Sequence, residues 1–369
     1  MNILIAPDKF KGSLSAHAVC TAIGEGIRVK WPEAKVRFHP LADGGDGTLE
    51  ILGEHLDLRK VPCPTTDPLD RPMNGHYLLG KEAAFIEMAT ASGLVLLKDD
   101  ERDPARTTTK GTGILLAHAL RQPVEQVYLL IGGSATHDVG VGCAHALGFR
   151  FKDGRDRELP PIGANLGAIR EIVPPVERPW PGKSIILLCD VENTLCGDNG
   201  AARVYATQKG ADPTAVETLE AGTRSFGRLL ETYASTPVLD LPGGGAAGGI
   251  AAGLVALLGA NLQPGFKTIA NLTGLEKDLD WADYVISGEG QLDGQSLQGK
   301  VVGGILNRCS DRQLPCALLV GNNALPAGHP IHPTLRSIES ISSVAVNLDD
   351  AMRNAAAYLK KLAQRLDQN

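Results

Sequence analysis

The chain has 369 residues, of which 43% are hydrophobic and 21% are charged, and its formal net charge at pH 7 is −6. This length exceeds what a single hydrophobic core usually supports, so we expect two domains. No basic run interrupts the acidic balance, which argues against a nucleic-acid partner. The longest apolar stretch, AAGGIAAGLVALLGA, is too short for a transmembrane helix, so we expect no membrane partner.

The first sixty residues alternate between strand and helix patterns. NILIAP is a short apolar strand, and Ser15 is placed to cap a helix whose apolar face includes Val19, Ile23 and Ile27. VRFHPL is the next strand, and TLEILGEHL is a second helix. This order predicts a parallel sheet with helices on both faces.

The segment PCPTTDPLDRP (62–72) breaks this alternation with four prolines and reads as a linker or domain crossing. Strand patterns follow at AAFIEM, VYLLIGG, SIILLCD and PVLDLP, and the simple alternation returns at DYVIS, KVVGGILNRC and PCALLV. The last segment, DDAMRNAAAYLKKLAQRL, has the spacing of an amphipathic helix. We therefore predict an α/β fold with two α/β domains. A doubly wound (flavodoxin/Rossmann-like) parallel-sheet domain comprises 1–63 and 285–369, and a second α/β domain, 64–284, is inserted into it.

The cysteines and the N-terminal segment bear on the cellular compartment. The seven cysteines form no Cys-x-x-Cys pair and no disulfide pattern. Dispersed thiols of this kind are typical of a reducing cytoplasm. MNILIAPDKF lacks the basic and long apolar regions of a signal peptide. We therefore expect a cytoplasmic protein.

In a parallel α/β sheet, ligands bind beyond the carboxyl ends of the strands, so the segments that follow the strands are the candidates for a site. After the first strand, APDKFKGSLSA offers Asp8, Lys9, Lys11 and Ser13, although such loops are polar by default. After SIILLC comes Asp190, which is placed either as a catalytic carboxylate or as a helix cap.

The loop LADGGDGT follows the second strand and sets Asp43 and Asp46 among glycines that include Gly44 and Gly45. A simple tight turn needs only one glycine, whereas three of them allow backbone N–H groups to approach a ligand closely. The carboxylates suit a hard cation such as Mg²⁺. Asp46 has an alternative interpretation as an acid favoured at a helix N-terminus.

The loop GGSATHDVGVG combines glycines with Ser134 and Thr136 ahead of a predicted helix, an arrangement that suits an anion. His137 lies in this loop, but the chain has no His-x-x-x-His spacing, so a zinc site is not expected. Cys196, in the loop after Asp190, has no nearby histidine to support a nucleophile.

Two further loops match nucleotide-binding patterns only in part. In GGGAAGGIAAG, glycines fit G-x-G-x-x-G, but no acid follows about twenty residues later to bind a ribose. In GEGQLDGQSLQGKVV, the run from Gly294 to Lys300 spells G-x-x-x-x-G-K, but Val301 stands where a P-loop needs Ser or Thr. Glu289 and Asp293 in the same loop are candidates to hold a metal, and Lys300 either meets phosphate or is solvated.

Taken together, these loops point to a phosphorylated ligand with a divalent metal. Phosphoryl transfer needs such glycines, carboxylates, hydroxyls and lysines, because it relies on positioning the substrates and neutralising their charge. One carboxylate must also accept the proton of the attacking hydroxyl group.

Six of these stretches, in order and spacing, resemble the bacterial class I glycerate kinase family: APDKFKGSLSA, LADGGDGT, GGSATHDVGVG, CDVENTLCG, GGGAAGG and GEGQLDGQSLQGK. The resemblance implies transfer of the γ-phosphoryl group of ATP to D-glycerate with Mg²⁺, giving 2-phosphoglycerate or 3-phosphoglycerate. It also implies two α/β domains, one inserted in the other.

We assign roles to the candidate residues as hypotheses. The catalytic candidates are Asp190 as the base, Asp8 as the second choice of base, and Lys11 and Lys300 as neutralising cations. The candidates for holding Mg²⁺, directly or through water, are Asp43, Asp46, Glu289 and Asp293. The candidates for binding substrate or nucleotide are Ser13, Gly44, Gly45, Ser134, Thr136, Asn193, Gly245 and Gly288.

Two alternatives remain at the level of the sequence. A dehydrogenase of a small hydroxy acid would use the GGGAAGG loop to bind NAD. A binding module without catalysis would bind the ligand without turnover, although a simple anion binder would not gather so many acids at its strand ends. The expected partners are D-glycerate and ATP, and a homo-oligomer is compatible with the sequence.

Overall fold

The computed structural model describes residues 1–178, 180–297, 299–326 and 332–367. Gln298, which belongs to the last of the quoted loops, therefore lies outside the described residues. The chain divides into two compact units. Unit 1 comprises Met1–Asp43 and Gly265–Asn369, and unit 2 comprises Gly44–Pro264.

The strands are β1 (Asn2–Ile5), β2 (Lys35–Phe38), β3 (Arg59–Thr66), β4 (Pro72–Leu79), β5 (Ala83–Glu87), β6 (Gln126–Leu130), β7 (Arg150–Lys152), β8 (Glu171–Val173), β9 (Ser184–Leu188), β10 (Asn261–Gln263), β11 (Tyr284–Ser287), β12 (Gln291–Leu292), β13 (Cys316–Val320), β14 (Asn322–Asn323) and β15 (Leu335–Ser340). The α-helices are α1 (Ala16–Lys30), α2 (Thr48–His55), α3 (Ala89–Ser92), α4 (Lys110–Ala119), α5 (Val141–Ala146), α6 (Ala201–Tyr205), α7 (Pro213–Ala234), α8 (Ala246–Leu258), α9 (Gly265–Thr273), α10 (Leu275–Trp281), α11 (Val301–Asp311), α12 (Leu348–Arg353) and α13 (Ala355–Ala363).

Unit 1 is a doubly wound parallel sheet with the strand order β15-β13-β11-β1-β2. Because successive side chains of a strand point to opposite faces, β1 contributes to two cores. Ile3 and Ile5 pack with residues of α1 and α13 on one face. Leu4 packs with residues of α9, α10 and α11 on the other. Ser15 caps α1 as predicted, since its side chain accepts a hydrogen bond from the amide of Ala18.

Unit 2 has a mixed sheet with the order β10-β9-β6-β5-β4-β3. The strands β10, β9, β6 and β5 are parallel, whereas β4 and β3 continue the sheet as an antiparallel hairpin. One large apolar core covers this sheet and includes residues of α4, α5 and α8. The carboxyl ends of β5, β6 and β9 therefore lie along one edge, the edge at which ligands bind in parallel sheets.

The prediction of a linker over 62–72 is wrong, because most of this segment belongs to the hairpin of β3 and β4. Val61, Cys63 and Thr65 are buried and alternate with the exposed Pro62 and Pro64. Since β3 lies at the edge of the sheet, prolines that lack an N–H group do not break a ladder there. The alternation of buried residues was the stronger signal.

The prediction of a strand at PVLDLP is also wrong, since residues 237–242 form no strand. The amides of Val238 and Leu239 instead donate to the side chain of Glu231, at 2.9 and 3.1 Å. Prolines at both ends of the segment limit the pairing that a strand would need. The glycine-rich segment that follows therefore does not begin at a strand end.

Two boundaries differ from the predicted ones. Residues 44–63 fall in unit 2 and residues 265–284 fall in unit 1, so both junctions lie about twenty residues earlier than the sequence pattern indicates. The predicted C-terminal helix is two helices, α12 and α13, that meet at Asn354. No helix in the described part of the chain is long and apolar enough to cross a membrane.

Candidate functional site

In unit 1, the loop after β1 places Asp8 among other carboxylates. Its backbone amide donates to the carbonyl of Gly288 at 2.8 Å, and its Oδ1 accepts from the amide of Lys9 at 2.7 Å. The pKa of Asp8 is raised to about 8, mainly by burial and also by the negative charges of Asp43 and Glu289, against the lowering effect of Lys9. The carboxylates of Asp43 and Glu289 therefore lie close enough to Asp8 for their charges to act on it.

Glu289 follows β11 and shares this environment. Burial raises the pKa of Glu289 to about 7; Asp293 and Asp43 also raise it, while Ser296 and Lys300 lower it. Its Oε1 atom is buried and has no hydrogen-bond partner among the described residues. A buried carboxylate oxygen without a partner is costly, so this atom suits a cation.

Asp293, directly after β12, and Lys300, directly before α11, both act electrostatically on Glu289. The Oδ1 atom of Asp293 accepts from the amides of Gln295 and Ser296, at 2.9 and 3.2 Å, which closes a tight turn. Lys300 is the residue that immediately precedes α11 and is partly exposed. Asp293 thus has a structural role in the turn besides its predicted one.

Three other predicted residues of unit 1 have simpler surroundings. Lys11 is exposed. The hydroxyl of Ser13 donates to the carbonyl of Met352 at 2.6 Å and so fixes its loop to α12. A Cβ atom at Gly288 would overlap the carbonyl oxygen of Leu319, so the close approach of β11 to β13 requires this glycine.

In unit 2, the loop that carries Asp46 contacts the loop after β6. A Cβ atom at Gly132 would lie 2.5 Å from the Cα atom of Gly45. A Cβ atom at Gly133, whose φ is 72°, would overlap Oδ1 of Asp46. The glycines at 132 and 133 therefore let a carboxylate and a backbone segment pack directly on this loop. The backbone at position 44 also favours glycine, since the φ of Gly44 is 91°.

Glu87, at the end of β5, is a site residue that the sequence interpretation missed. It is buried, and its Oε1 and Oε2 accept from the amides of Gly47 and Leu49, at 3.0 and 3.2 Å. These amides belong to the first turn of α2, where a negative charge is favoured. An acid that ends a strand of buried apolar residues was the signal for it.

The loop after β6 is held from beneath by Lys209, which was also missed. Lys209 is only 2% exposed, and its Nζ donates to Oγ of Ser134 and to the carbonyl of Thr136, both at 2.7 Å. Burial lowers the pKa of Lys209 to about 7, against the raising effect of Asp138. In the sequence, Lys209 looks like any surface lysine of a polar turn.

The remaining members of this loop are structural. Asp138 accepts from both the amide and the hydroxyl of Thr109 at 2.8 Å, and from the amides of Gly140 and Gly142 at 3.1 Å. His137 is buried and its Nε2 contacts Oγ1 of Thr223 at 2.8 Å. Burial, followed by the charge of Lys209, lowers the pKa of His137 to about 3, so this side chain is neutral.

Thr136 is completely buried, and its hydroxyl has no hydrogen-bond partner among the described residues. The structure therefore gives its carbonyl a clear role, as an acceptor for Lys209, but does not bring its hydroxyl to the surface. Ser134, at 8% exposed, is the hydroxyl-bearing residue of this loop that keeps some exposed surface.

Asp190 is the second residue after the end of β9, and it is half-buried. Asn193 in the same loop is used within the protein: its Nδ2 donates to the carbonyl of Asn199 at 2.9 Å, and its Oδ1 accepts from the hydroxyl of Tyr205 at 2.6 Å. Its carbonyl accepts from the amide of Gly245 at 2.9 Å. Asn193 and Gly245 thus join two loops of unit 2.

The GGGAAGG segment packs against protein backbone. A Cβ atom at Gly245 would overlap the carbonyl of Thr194, and one at Gly248 would overlap the carbonyl of Thr136. Gly248 and Gly249 also have positive φ values, of 71° and 86°, within α8. These glycines are therefore explained by close packing, without a dinucleotide.

The described residues contain no group of three or more His, Cys, Asp or Glu side chains already arranged to hold a metal ion. Mg²⁺ needs only one or two protein carboxylates, because it keeps most of its waters. The environment of Asp8, Asp43 and Glu289 fits such a cation, since their mutual repulsion and the unpartnered oxygen of Glu289 would both be relieved by positive charge.

Comparisons with known proteins identify the family. The model of the glycerate kinase family matches residues 3–368. The chain is 36% identical to glycerate 2-kinase of Escherichia coli (strain K12), over 96% of this chain and 94% of that protein. It is 34% identical to glycerate kinase of Bacillus cereus (strain ATCC 10987 / NRS 248), over 99% of this chain and 97% of that protein.

A crystal structure described as a candidate glycerate kinase 2 from Salmonella typhimurium LT2 matches this fold with a TM-score of 0.81 and 39% identity, over 99% of this chain and 96% of that chain. The predicted α/β fold class and the predicted enzyme class, a phosphotransferase with an alcohol group as acceptor, are confirmed. The NAD-dependent alternative receives no support. The chain belongs to the glycerate kinase family.

Proposed function

We propose that this enzyme transfers the γ-phosphoryl group of ATP to a hydroxyl group of D-glycerate in the presence of Mg²⁺, giving 2-phosphoglycerate. Family membership supports the substrate, and the relative named glycerate 2-kinase supports the position of transfer. The structural observation that carries the proposal is the group of Asp8, Asp43 and Glu289 at strand ends of unit 1, with lysines beside it. A phosphoryl-transfer site combines these charges to hold a metal and to accept a proton.

Asp43 and Glu289 are our candidates for holding Mg²⁺ in unit 1, with Asp293 acting directly or through water. Asp46 in unit 2 remains the fourth candidate. When bound, Mg²⁺ would neutralise charge on the phosphoryl oxygens. The carboxylates would bind and orient the Mg²⁺ ion. The positive charge of Lys300 partly offsets the negative charge of these carboxylates, as its lowering effect on the pKa of Glu289 indicates.

The base accepts the proton of the glycerate hydroxyl. Asp190 is the first candidate from the sequence, because it follows a strand end of unit 2, and Asp8 is the second. A general base works best when its pKa lies near the working pH. The burial of Asp8 and its pKa of about 8 support the second candidate.

The binding residues hold anionic groups of the substrates. Lys11 and Lys300 neutralise phosphate or the glycerate carboxylate, and Ser134 donates a hydrogen bond to an anionic oxygen. The remaining candidates are Ser13, Gly44, Gly45, Thr136, Asn193, Gly245 and Gly288. Of these, Ser13, Asn193, Gly245 and Gly288 also make close contacts within the protein.

A coupled assay of ADP release tests the proposal. D-Glycerate should support turnover, L-glycerate and tartronate should be poorer substrates, and glycerol should support little, because it lacks the carboxylate. EDTA should abolish ADP release, and excess Mg²⁺ should restore it. If no hydroxy acid supports ADP release, the proposal is wrong.

We also propose that the enzyme is cytoplasmic. All seven cysteines are free thiols, and six of them are buried. Unpaired cysteines of this kind are typical of a reducing compartment. Fractionation of cells that express the chain with a fluorescent tag would test this location.

A further inference from the structure

Lys209 lies in the short turn Thr207–Lys209 of unit 2, beneath the loop after β6. Its Nζ reaches two acceptors of that loop, Oγ of Ser134 and the carbonyl of Thr136, both at 2.7 Å. At 2% exposure, an ammonium group is expensive to bury without strong partners. An apolar residue of similar length would fill the same space without this cost, so packing alone does not explain a lysine.

The contact between Lys209 and Ser134 fixes the direction of a proton. A serine hydroxyl has one O–H donor and two acceptor lone pairs, whereas a lysine ammonium group can only donate. When Lys209 is charged, Oγ of Ser134 is therefore the acceptor in this pair, and its own proton remains available for another group. Ser134 is 8% exposed and Lys209 is 2% exposed, so a ligand at this loop would meet Ser134 before Lys209.

The charges around Lys209 fit an anion at this position. Asp138 is the acid whose charge raises the pKa of Lys209, but its carboxylate is already used by Thr109, Gly140 and Gly142. His137 is neutral. The charged form of Lys209 is therefore only partly compensated from within the unit, and an anion at Ser134 would favour that form over the neutral amine.

We propose that Lys209 is a positioning residue for substrate recognition, which polarises Ser134 and directs its hydroxyl proton to an anionic oxygen of a substrate. This inference rests on the proposed function for the identity of the substrates. The oxygen belongs either to the carboxylate of glycerate or to a phosphoryl group of ATP, which share the same chemistry. Lys209 acts only through Ser134 and touches neither substrate.

The test is a double-mutant cycle on Lys209→Met and Ser134→Ala, with KM and kcat measured for each substrate. Each single variant should lower kcat/KM by about 10- to 100-fold, as expected for loss of a charge-assisted hydrogen bond. The double variant should lose no more than Ser134→Ala alone, because both changes remove the same interaction. A higher KM for D-glycerate alone would assign the carboxylate, and one for ATP alone would assign the phosphoryl group.

Lys183→Met is the matched control. Lys183 is a partly buried lysine of unit 2, and its Nζ donates to the carbonyls of Gln122 and Val124. It precedes β9, at the amino end of that strand. Its replacement should lower the melting temperature with little change in kcat/KM. Lys209→Arg, which keeps the charge and the donors, should recover part of the activity lost in Lys209→Met.

Effects of Lys209→Met and Ser134→Ala that multiply in the double variant would overturn the proposal, as would unchanged kinetics in a folded Lys209→Met. If Lys209→Met does not fold, the cycle is run with Lys209→Arg, whose effect should vanish in the Ser134→Ala background; an effect that persists there would overturn the proposal.

If the wild-type chain releases no ADP, the proposed function fails, and tartronate or inorganic phosphate then serves as the probe. Such an anion should raise the melting temperature of wild type and not of Ser134→Ala, and equal shifts would overturn the inference.

Discussion

The carboxylate of Asp46 lies directly against the Cα atom of Gly133, so that a Cβ atom at position 133 would overlap Oδ1 of Asp46. The two residues come from loops that follow different strands, and glycine at 133 is what lets them meet. A side chain there would also be strained, because the φ of Gly133 is 72°.

We predict that Gly133→Ala displaces Asp46 and lowers kcat/KM at least about tenfold, through loss of positioning. Gly182→Ala is the matched control, because its φ is 75° but no atom lies within 4 Å of the added Cβ. Steady-state kinetics and thermal melting of both variants separate steric displacement from backbone strain. Equal losses of activity in the two would contradict a special role for the contact between Gly133 and Asp46.

Glu87→Ala should lower the free energy of unfolding by about 2 to 4 kcal/mol, because it removes a buried cap of the first turn of α2. Glu87→Gln should be nearly as harmful, since an amide offers only one acceptor atom to two N–H groups. Glu82→Ala, at the exposed residue immediately before the same strand, is the control and should change stability by less than about 0.5 kcal/mol. Urea unfolding measures all three, and wild-type stability of Glu87→Ala would refute the capping role.

Lys209 makes stability depend on pH in a known direction. Its pKa falls from 10.5 to about 7 on folding, so between these values the unfolded state binds more protons and stability rises with pH. The contribution is complete above about pH 10.5 and is lost as the pH falls towards 7.

Relative to Lys209→Met, wild type should therefore gain about 3 kcal/mol of unfolding free energy between pH 7 and pH 9.5. Denaturant unfolding of both proteins at several pH values measures this difference, in which contributions from all other groups cancel. Parallel curves for the two proteins would show that the lysine is not buried as described.

Asparagine at the position of the base should lower kcat by about 100-fold or more while leaving KM for both substrates nearly unchanged. Asp8→Asn and Asp190→Asn compare the two candidates, and Asp198→Asn is the control, since its side chain is 95% exposed in the loop that also carries Asp190. If Asp190→Asn keeps near-normal turnover while D-glycerate still binds, Asp190 is not the base. If neither Asp8→Asn nor Asp190→Asn affects kcat, both assignments are wrong.

Local pattern predicted much of the fold because the parallel strands are short, apolar and followed by polar loops. The helix cap at Ser15 is an example, since it depends only on neighbouring residues. The hairpin of β3 and β4 was missed because prolines suggest irregular chain, whereas an edge strand tolerates them. Whether a strand lies at an edge is a property of the whole sheet.

The site illustrates the same limit. Loops with glycines and acids were visible in the sequence, but the roles of Glu87 and Lys209 depend on partners 38 to 75 residues away. The glycines of GGGAAGG looked like a ligand-binding fingerprint, but they serve contacts between backbone segments. The sequence shows where glycines cluster, and only the contacts in the structure show which neighbouring atoms each glycine accommodates.

The most direct test of the central claim is a ³¹P NMR time course of the enzyme with ATP, Mg²⁺ and D-glycerate. We predict a new phosphomonoester signal that grows as ADP appears in equal amount. The signal should be a doublet, because phosphorus on the 2-oxygen couples to a single carbon-bound proton, whereas phosphorus on the 3-oxygen would couple to two. Intact ATP, or inorganic phosphate as the only new species, would contradict the account.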